Sequence, residues 1–243
     1  MNYTTLFNTI KSYCENDFAA SAYTASNNTT PVVVPSNEQI NTFIKQAEQR
    51  IYNAGNAPVI RANEYGQFSV DNKYLNLPFD FLYVYSLAVL TDVGSGLDSP
   101  QEFLLNKDVS FLRQAYPDPT ETGLPQYYAI FGTVSGSNEL PPNKQLSLMV
   151  APTPDQAYTV ELHYMRYPDS IVDAGSSWLG DNFDSVLLYG ALLEAITFMK
   201  GETDLIALYD KRYTEAMDLY KQLVDGKERR DAYRSGMPRI PVM

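Results

Sequence analysis

At 243 residues, with 44% hydrophobic and 19% charged residues, the chain has the composition of a folded protein and is long enough to bury a substantial core. It holds 29 Asp and Glu against 18 Lys and Arg, for a net charge of −11, with one cysteine and one histidine. These numbers exclude an intrachain disulfide and a single-chain thiolate metal cluster, and an acidic body repels nucleic acid except where cations gather.

Met1-Asn-Tyr-Thr-Thr5 shows no basic segment followed by an apolar run. The apolar runs Phe79 to Leu90 and Val186 to Met199 are too short or too interrupted to span a bilayer, so a soluble protein is expected. The charge is uneven. From Lys227 onward there are five basic and two acidic residues, net +3, which leaves −14 on residues 1–226. A basic arm on an acidic body reads as an interaction tail.

In chain order, residues 3–15 place Leu6, Phe7, Ile10, Tyr13 and Cys14 at helical spacing, with Cys14 as a small packing residue. A polar stretch from Ser21 to Thr30, closed by Pro31-Val-Val-Val-Pro35, reads as a loop. Ser36-Asn-Glu-Gln39 has the form of a capping box and opens a helix with an apolar stripe of Ile40, Phe43, Ile44, Ala47, Ile51 and Tyr52, ended by Gly55. From Ala57 to Pro168 the period shortens. Val59–Ala62, Gln67–Val70, Tyr74–Leu77, Phe81–Leu90, Gln126–Phe131, Gln145–Val150 and Tyr158–Arg166 read as strands of a mostly antiparallel sheet. Within this region Ser99-Pro-Gln-Glu102 begins a helical segment, and Asp108–Ala115 forms a short helix. Pro152-Thr-Pro-Asp-Gln156 is the expected turn of a hairpin between the last two strands.

Asp181 or Asn182 can cap a helix to Lys200 that is apolar on nearly every side, with Gly201 as its stop; such a helix is buried in a bundle or an assembly. Asp204–Val224 follows, carrying Leu205, Leu208, Tyr209, Tyr213, Met217, Tyr220 and Leu223 at three-to-four spacing. The short Gly201–Thr203 link makes the pair an antiparallel helical hairpin. The expected fold class is α+β. A helical bundle built from residues 1–56 and 169–226 holds an inserted β-rich subdomain of residues 57–168, and an extended basic C-terminal arm covers residues 227–243.

The chain has no GxGxxG, Walker loop, HExxH or GxSxG motif, and no catalytic, metal or cofactor site is expected. His163 shares a strand face with Thr159, Glu161 and Met165, opposite Tyr158, Val160, Leu162 and Tyr164; it reads as a solvated or interface histidine. Glu194 interrupts the apolar helix, and a buried carboxylate must find a cation or a donor, such as an Arg, a Tyr hydroxyl or a helix end. The 19 tyrosines favour interfaces over catalysis. The competing class is a hydrolase built on a β-rich fold with paired carboxylates.

An ordered series of segments resembles the head-to-tail adaptor, or head-completion, proteins of tailed bacteriophages, of the podophage tail tubular protein A type. It runs through Tyr3–Ile10, Phe43–Ile51, Leu75–Leu82, Val109–Pro117, Gly123–Ile130, Ala151–Asp155, Tyr158–Tyr164, Trp178-Leu179 and Leu188–Ala195. The resemblance implies a structural, non-enzymatic protein of the virion neck, assembled in the host cytoplasm. It implies a homo-oligomeric, twelvefold ring under the portal protein that extends the DNA channel and carries the tail or nozzle. Genomic DNA would pass without sequence-specific binding. Within that frame Arg229, Arg230, Tyr233, Arg234 and Arg239 of the arm are expected to grip acidic portal surface, with channel DNA as the competing target. Leu188, Leu192, Glu194, Tyr209, Tyr213 and Tyr220 are expected to pack the bundle or its subunit contacts. Another neck or tail-completion protein of similar shape remains the alternative within the class.

Overall fold

The structure is a computed structural model that describes residues 1–23, 32–91, 99–118, 120–133 and 145–229. In chain order its elements are α1 (Tyr3–Cys14), β1 (Ser21–Tyr23), β2 (Val32–Val34), α2 (Ser36–Ala54), β3 (Arg61–Gln67), β4 (Tyr74–Asn76) and β5 (Phe81–Leu90). They continue with β6 (Gln101–Phe103), β7 (Leu105–Asn106), α3 (Val109–Ala115), β8 (Tyr127–Thr133), β9 (Leu146–Ala151) and β10 (Thr159–Arg166). The last four are α4 (Ile171–Ala174), α5 (Trp178–Asn182), α6 (Asp184–Met199) and α7 (Thr203–Arg229). The fold class is α+β, and the chain forms two compact units: Met1–Val59 together with the chain from Pro168 onward, and Ile60–Tyr167.

In the helical unit α6 packs against α1, α2, α5 and α7. The reason lies in its composition. Val186, Leu187, Leu188, Ala191, Leu192, Ala195 and Ile196 are all buried, so apolar side chains point outward in every direction and need neighbours on several sides. Leu6 and Ile10 of α1 and Ile40, Ile44, Ala47 and Ile51 of α2 complete that core, each fully buried. Gly190 lets α6 approach closely, because a Cβ there would lie 3.2 Å from both Ala47 Cβ and the Tyr213 ring.

Local expectations at the helix ends need correction. Ser36 is the first helical residue of α2, and Pro35 rather than Ser36 takes the N-cap position. The apolar helix begins at Asp184, because Phe183 leaves helical geometry (φ −140°, ψ 47°) and separates it from α5. Its stop is Lys200 in the left-handed region (φ 55°), one residue before the expected glycine. The two ends of the polar Ser21–Pro35 stretch are not loop, since β1 and β2 pair as an antiparallel ribbon, Ser21 opposite Val34; the loop expected over residues 24–31 lies outside the described residues.

In the other unit two four-stranded sheets share a core. One has the order β3-β10-β5-β6, the other β4-β9-β8-β7, and all pairings are antiparallel except β7 with β8. Leu87, Val89, Val160, Leu162 and Tyr164 of the first sheet meet Tyr128, Leu148 and Val150 of the second. The second sheet's other face, through Ala129, Met149 and Ala151, is covered by Leu112 of α3, which Asp108 caps by accepting from the Ser110 N–H at 2.7 Å.

This layering overturns the expected hairpin. β9 and β10 do not pair; they belong to different sheets, and Pro152–Gln156 carries the chain across. β9 is buried on both faces, between the shared core and α3, so it requires ladder partners on both edges, which β4 and β8 supply. Ser99–Glu102 is also corrected, from a helix start to β6. Its Gln101 pairs with Leu90, because the edge of β5 offers a ladder to the segment after Pro100. Val59–Ala62 and Gln67–Val70 are replaced by the single strand β3.

Candidate interaction surfaces

The sequence-chosen bundle residues converge in the helical unit. Leu188, Leu192, Tyr213 and Tyr220 are buried, and Tyr209 is half-buried with its ring 6.2 Å from that of Tyr189. Glu194 finds its cation across the helix pair: its carboxylate oxygen accepts from the Arg50 guanidinium of α2. Tyr220 packs edge-on to Phe183, with centroids 5.1 Å apart. Gly55, the C-cap of α2, is obligatory beside it, since a Cβ would lie 2.7 Å from the ring. The hydroxyls of Tyr52, Tyr213 and Tyr220 are buried without a hydrogen-bond partner among the described residues. Burial pushes all three above the ordinary phenol value, Tyr220 to about 12.

Sequence reasoning missed a more deeply buried carboxylate. Glu48 of α2 is 3% exposed and accepts from the Ile171 N–H at 2.9 Å, holding the start of α4. The signal was available: position 48 lies four residues after Ile44 and three before Ile51, inside the apolar stripe. Burial raises its pKa, opposed by hydrogen bonds from Ser170 and Ile171; Asp173 adds to the rise and Lys45 subtracts. A carboxyl whose folded pKa is raised stabilises the fold below its unfolded value of about 4.5, and that contribution is lost as pH climbs through the raised value. Glu48→Gln keeps an acceptor and cannot ionise. Wild-type stability relative to this variant should therefore fall as pH rises from about 4 to 8, measured by urea unfolding. Glu48→Ala should cost about 1–3 kcal/mol by orphaning the Ile171 N–H. A pH-independent gap between wild type and Glu48→Gln would contradict a buried, ionising carboxylate.

His163 sits at the strand position expected for it, its ring 4.8 Å from that of Tyr85. Beside it Glu161 accepts from Asn63 Nδ2 (2.5 Å), Gln101 Nε2 (2.7 Å) and Tyr65 OH (3.0 Å), and the Asn63 hydrogen bond is the main cause that holds its carboxyl low. This carboxylate is saturated with donors and stays ionised, which suits a fixed polar surface rather than proton transfer. Met165, placed on the same face by the alternation, is buried instead. Cys14 behaves as the expected packing residue, half-buried, its thiol pushed up to about 11 by burial. Among the described residues no cluster of His, Cys, Asp and Glu could hold a metal ion.

Among the described residues, both units leave large apolar side chains exposed. On α7, Leu205, Leu208, Leu219 and Leu223 face away from the core that Tyr213, Met217, Tyr220 and Val224 enter. In the β unit Phe79 is 81% exposed, and Tyr83, Tyr85 and Phe103 are more than half exposed. The first half of β5 therefore presents aromatics outward although the strand reads as uniformly apolar; its alternating Tyr83 and Tyr85 were the clue. Of the basic arm, the backbone of Lys227–Arg229 continues α7, so the arm does not begin as an extended segment at Lys227. Arg230, Tyr233, Arg234 and Arg239 lie outside the described residues.

The chain is thus an α+β protein with a helical unit and a β unit, each leaving large apolar side chains exposed. A family model described as SU10 adaptor protein matches residues 1–239, and the chain belongs to that family of phage head-to-tail adaptors. No curated protein matches the chain. Membership implies a structural protein of the virion neck, associated with portal and tail proteins. Among the described residues no helix is long and apolar enough to cross a membrane.

Proposed function

We propose that the protein is a non-enzymatic adaptor that forms a twelvefold ring under the portal, extends the DNA channel and carries the tail. The family match across nearly the whole chain carries this reading. The outward leucines of α7 supply apolar area for a neighbouring copy, and the exposed aromatics of β5 and β6 suit the next neck or tail component. The net charge of −14 on residues 1–226 suits a channel along which DNA slides without sticking. Assembly takes place in the host cytoplasm before the tail joins. Negative-stain imaging of the protein mixed with its portal should show a ring stacked coaxially beneath the portal. Particles with bare portals at saturating adaptor would overturn the reading.

A further inference from the structure

The helical unit has a groove of about 240 Å³ lined by Pro58, Trp178, Asn182, Phe183, Leu223 and Val224. Its floor is rigid. The Trp178 and Phe183 rings lie 5.1 Å apart, Phe183 packs on the buried Tyr220, and Asn182 Nδ2 donates to the Trp178 carbonyl at 2.9 Å. Its rim is open, with Pro58 exposed, Trp178 half-buried and Leu223 60% exposed. A preorganised apolar slot with one polar amide suits an apolar peptide segment.

We propose that the occupant in the free protein is the chain's own C-terminal segment, Met237-Pro-Arg-Ile-Pro-Val-Met243. Reach is the first argument. α7 lines the groove at Leu223 and Val224 and ends at Arg229, about 8 Å further along the helix axis. The following residues 230–243 can span up to about 45–50 Å when extended, several times the distance back. Composition is the second: Met237, Ile240, Val242 and Met243 are the apolar side chains the slot takes, and the two prolines lower the entropy lost on ordering. Charge is the third. Asp181 and Asp184, both exposed, flank Asn182 and Phe183, and the segment carries one cation, Arg239. The Met1 ammonium, bound to the Gly180 carbonyl, offsets part of that negative charge. The docked segment covers Trp178 and Leu223 until a partner takes it, whatever that partner is.

Trp178 is the only tryptophan, so its emission reads the groove directly. Ending the chain at Arg229 should red-shift the emission and make acrylamide quenching about twofold steeper, as expected when a pocket loses its ligand. Ile240→Asp in the full chain should do the same with far-UV circular dichroism unchanged, and a peptide of residues 230–243 should restore shielding to the shortened chain saturably. Emission and quenching identical in all three proteins would overturn the proposal. Shielding that fades on dilution together with loss of a dimer would assign the groove to the tail of a second copy. Shielding that appears only on adding portal would assign it to that partner. Either result removes the same-chain segment.

Discussion

Leu192→Ala is expected to destabilise the helical unit by about 2–5 kcal/mol, the range for emptying a fully buried leucine site. Leu192 is 0% exposed on a helix that touches four others, so no single neighbour can collapse into the space without losing its own contacts. Urea unfolding followed by Trp178 emission is the suitable measurement, because Trp178 belongs to the same unit. Leu205→Ala, at an exposed position of α7, should stay within about 0.5 kcal/mol of wild type. Equal losses at the two positions would show that α6 is not the centre of the core.

The second large effect concerns recruitment. Removing residues 230–243 deletes Arg230, Tyr233, Arg234 and Arg239 while α7 still runs to its last described residue, Arg229. If the arm grips acidic portal surface, binding to purified portal rings should fall about 100-fold or more, since truncating one partner of a buried charged pair already costs about 2–5 kcal/mol. Undiminished binding would sink this role for the arm. Salt-sensitive DNA binding by the assembled ring, lost on the same deletion, would instead place the arginines on the channel DNA. The truncation is informative in the free protein as well, where it should uncover Trp178.

Several features were legible because they depend on neighbours in sequence. The three-to-four spacing of Leu6 and Ile10, and of Ile40, Ile44, Ala47 and Ile51, marked the buried faces of α1 and α2. Asp108 was readable at the start of α3, and Phe81–Leu90 matches β5. The need of Glu194 for a cation or a donor also followed from composition alone, since a carboxylate on an apolar helix is costly unless paired. That the cation is Arg50, 144 positions away, did not. The depth of Glu48 was harder to read, because it depends on what α4 and α6 place over α2.

Readable from the amino acids alone were the α+β class, an apolar helix buried in a bundle or an assembly, the acidic body with a basic end, and ordered segments that resemble phage adaptors. Local periodicity and composition carry the first three, because backbone geometry repeats every 3.6 or 2 residues and charge counts need no coordinates; the last rests on resemblance. Tertiary structure alone decided that the segment around Pro152–Gln156 joins two sheets rather than turning a hairpin. A strand's period specifies which side chains share a face but not which strand supplies its hydrogen bonds. It also decided which tyrosines and leucines enter the core and which are left at the surface, since both kinds carry the same residues in the same local pattern. The slot beside Trp178 is of that second kind: three stretches far apart in sequence, around Pro58, Phe183 and Val224, line it only once α5 and α7 have packed.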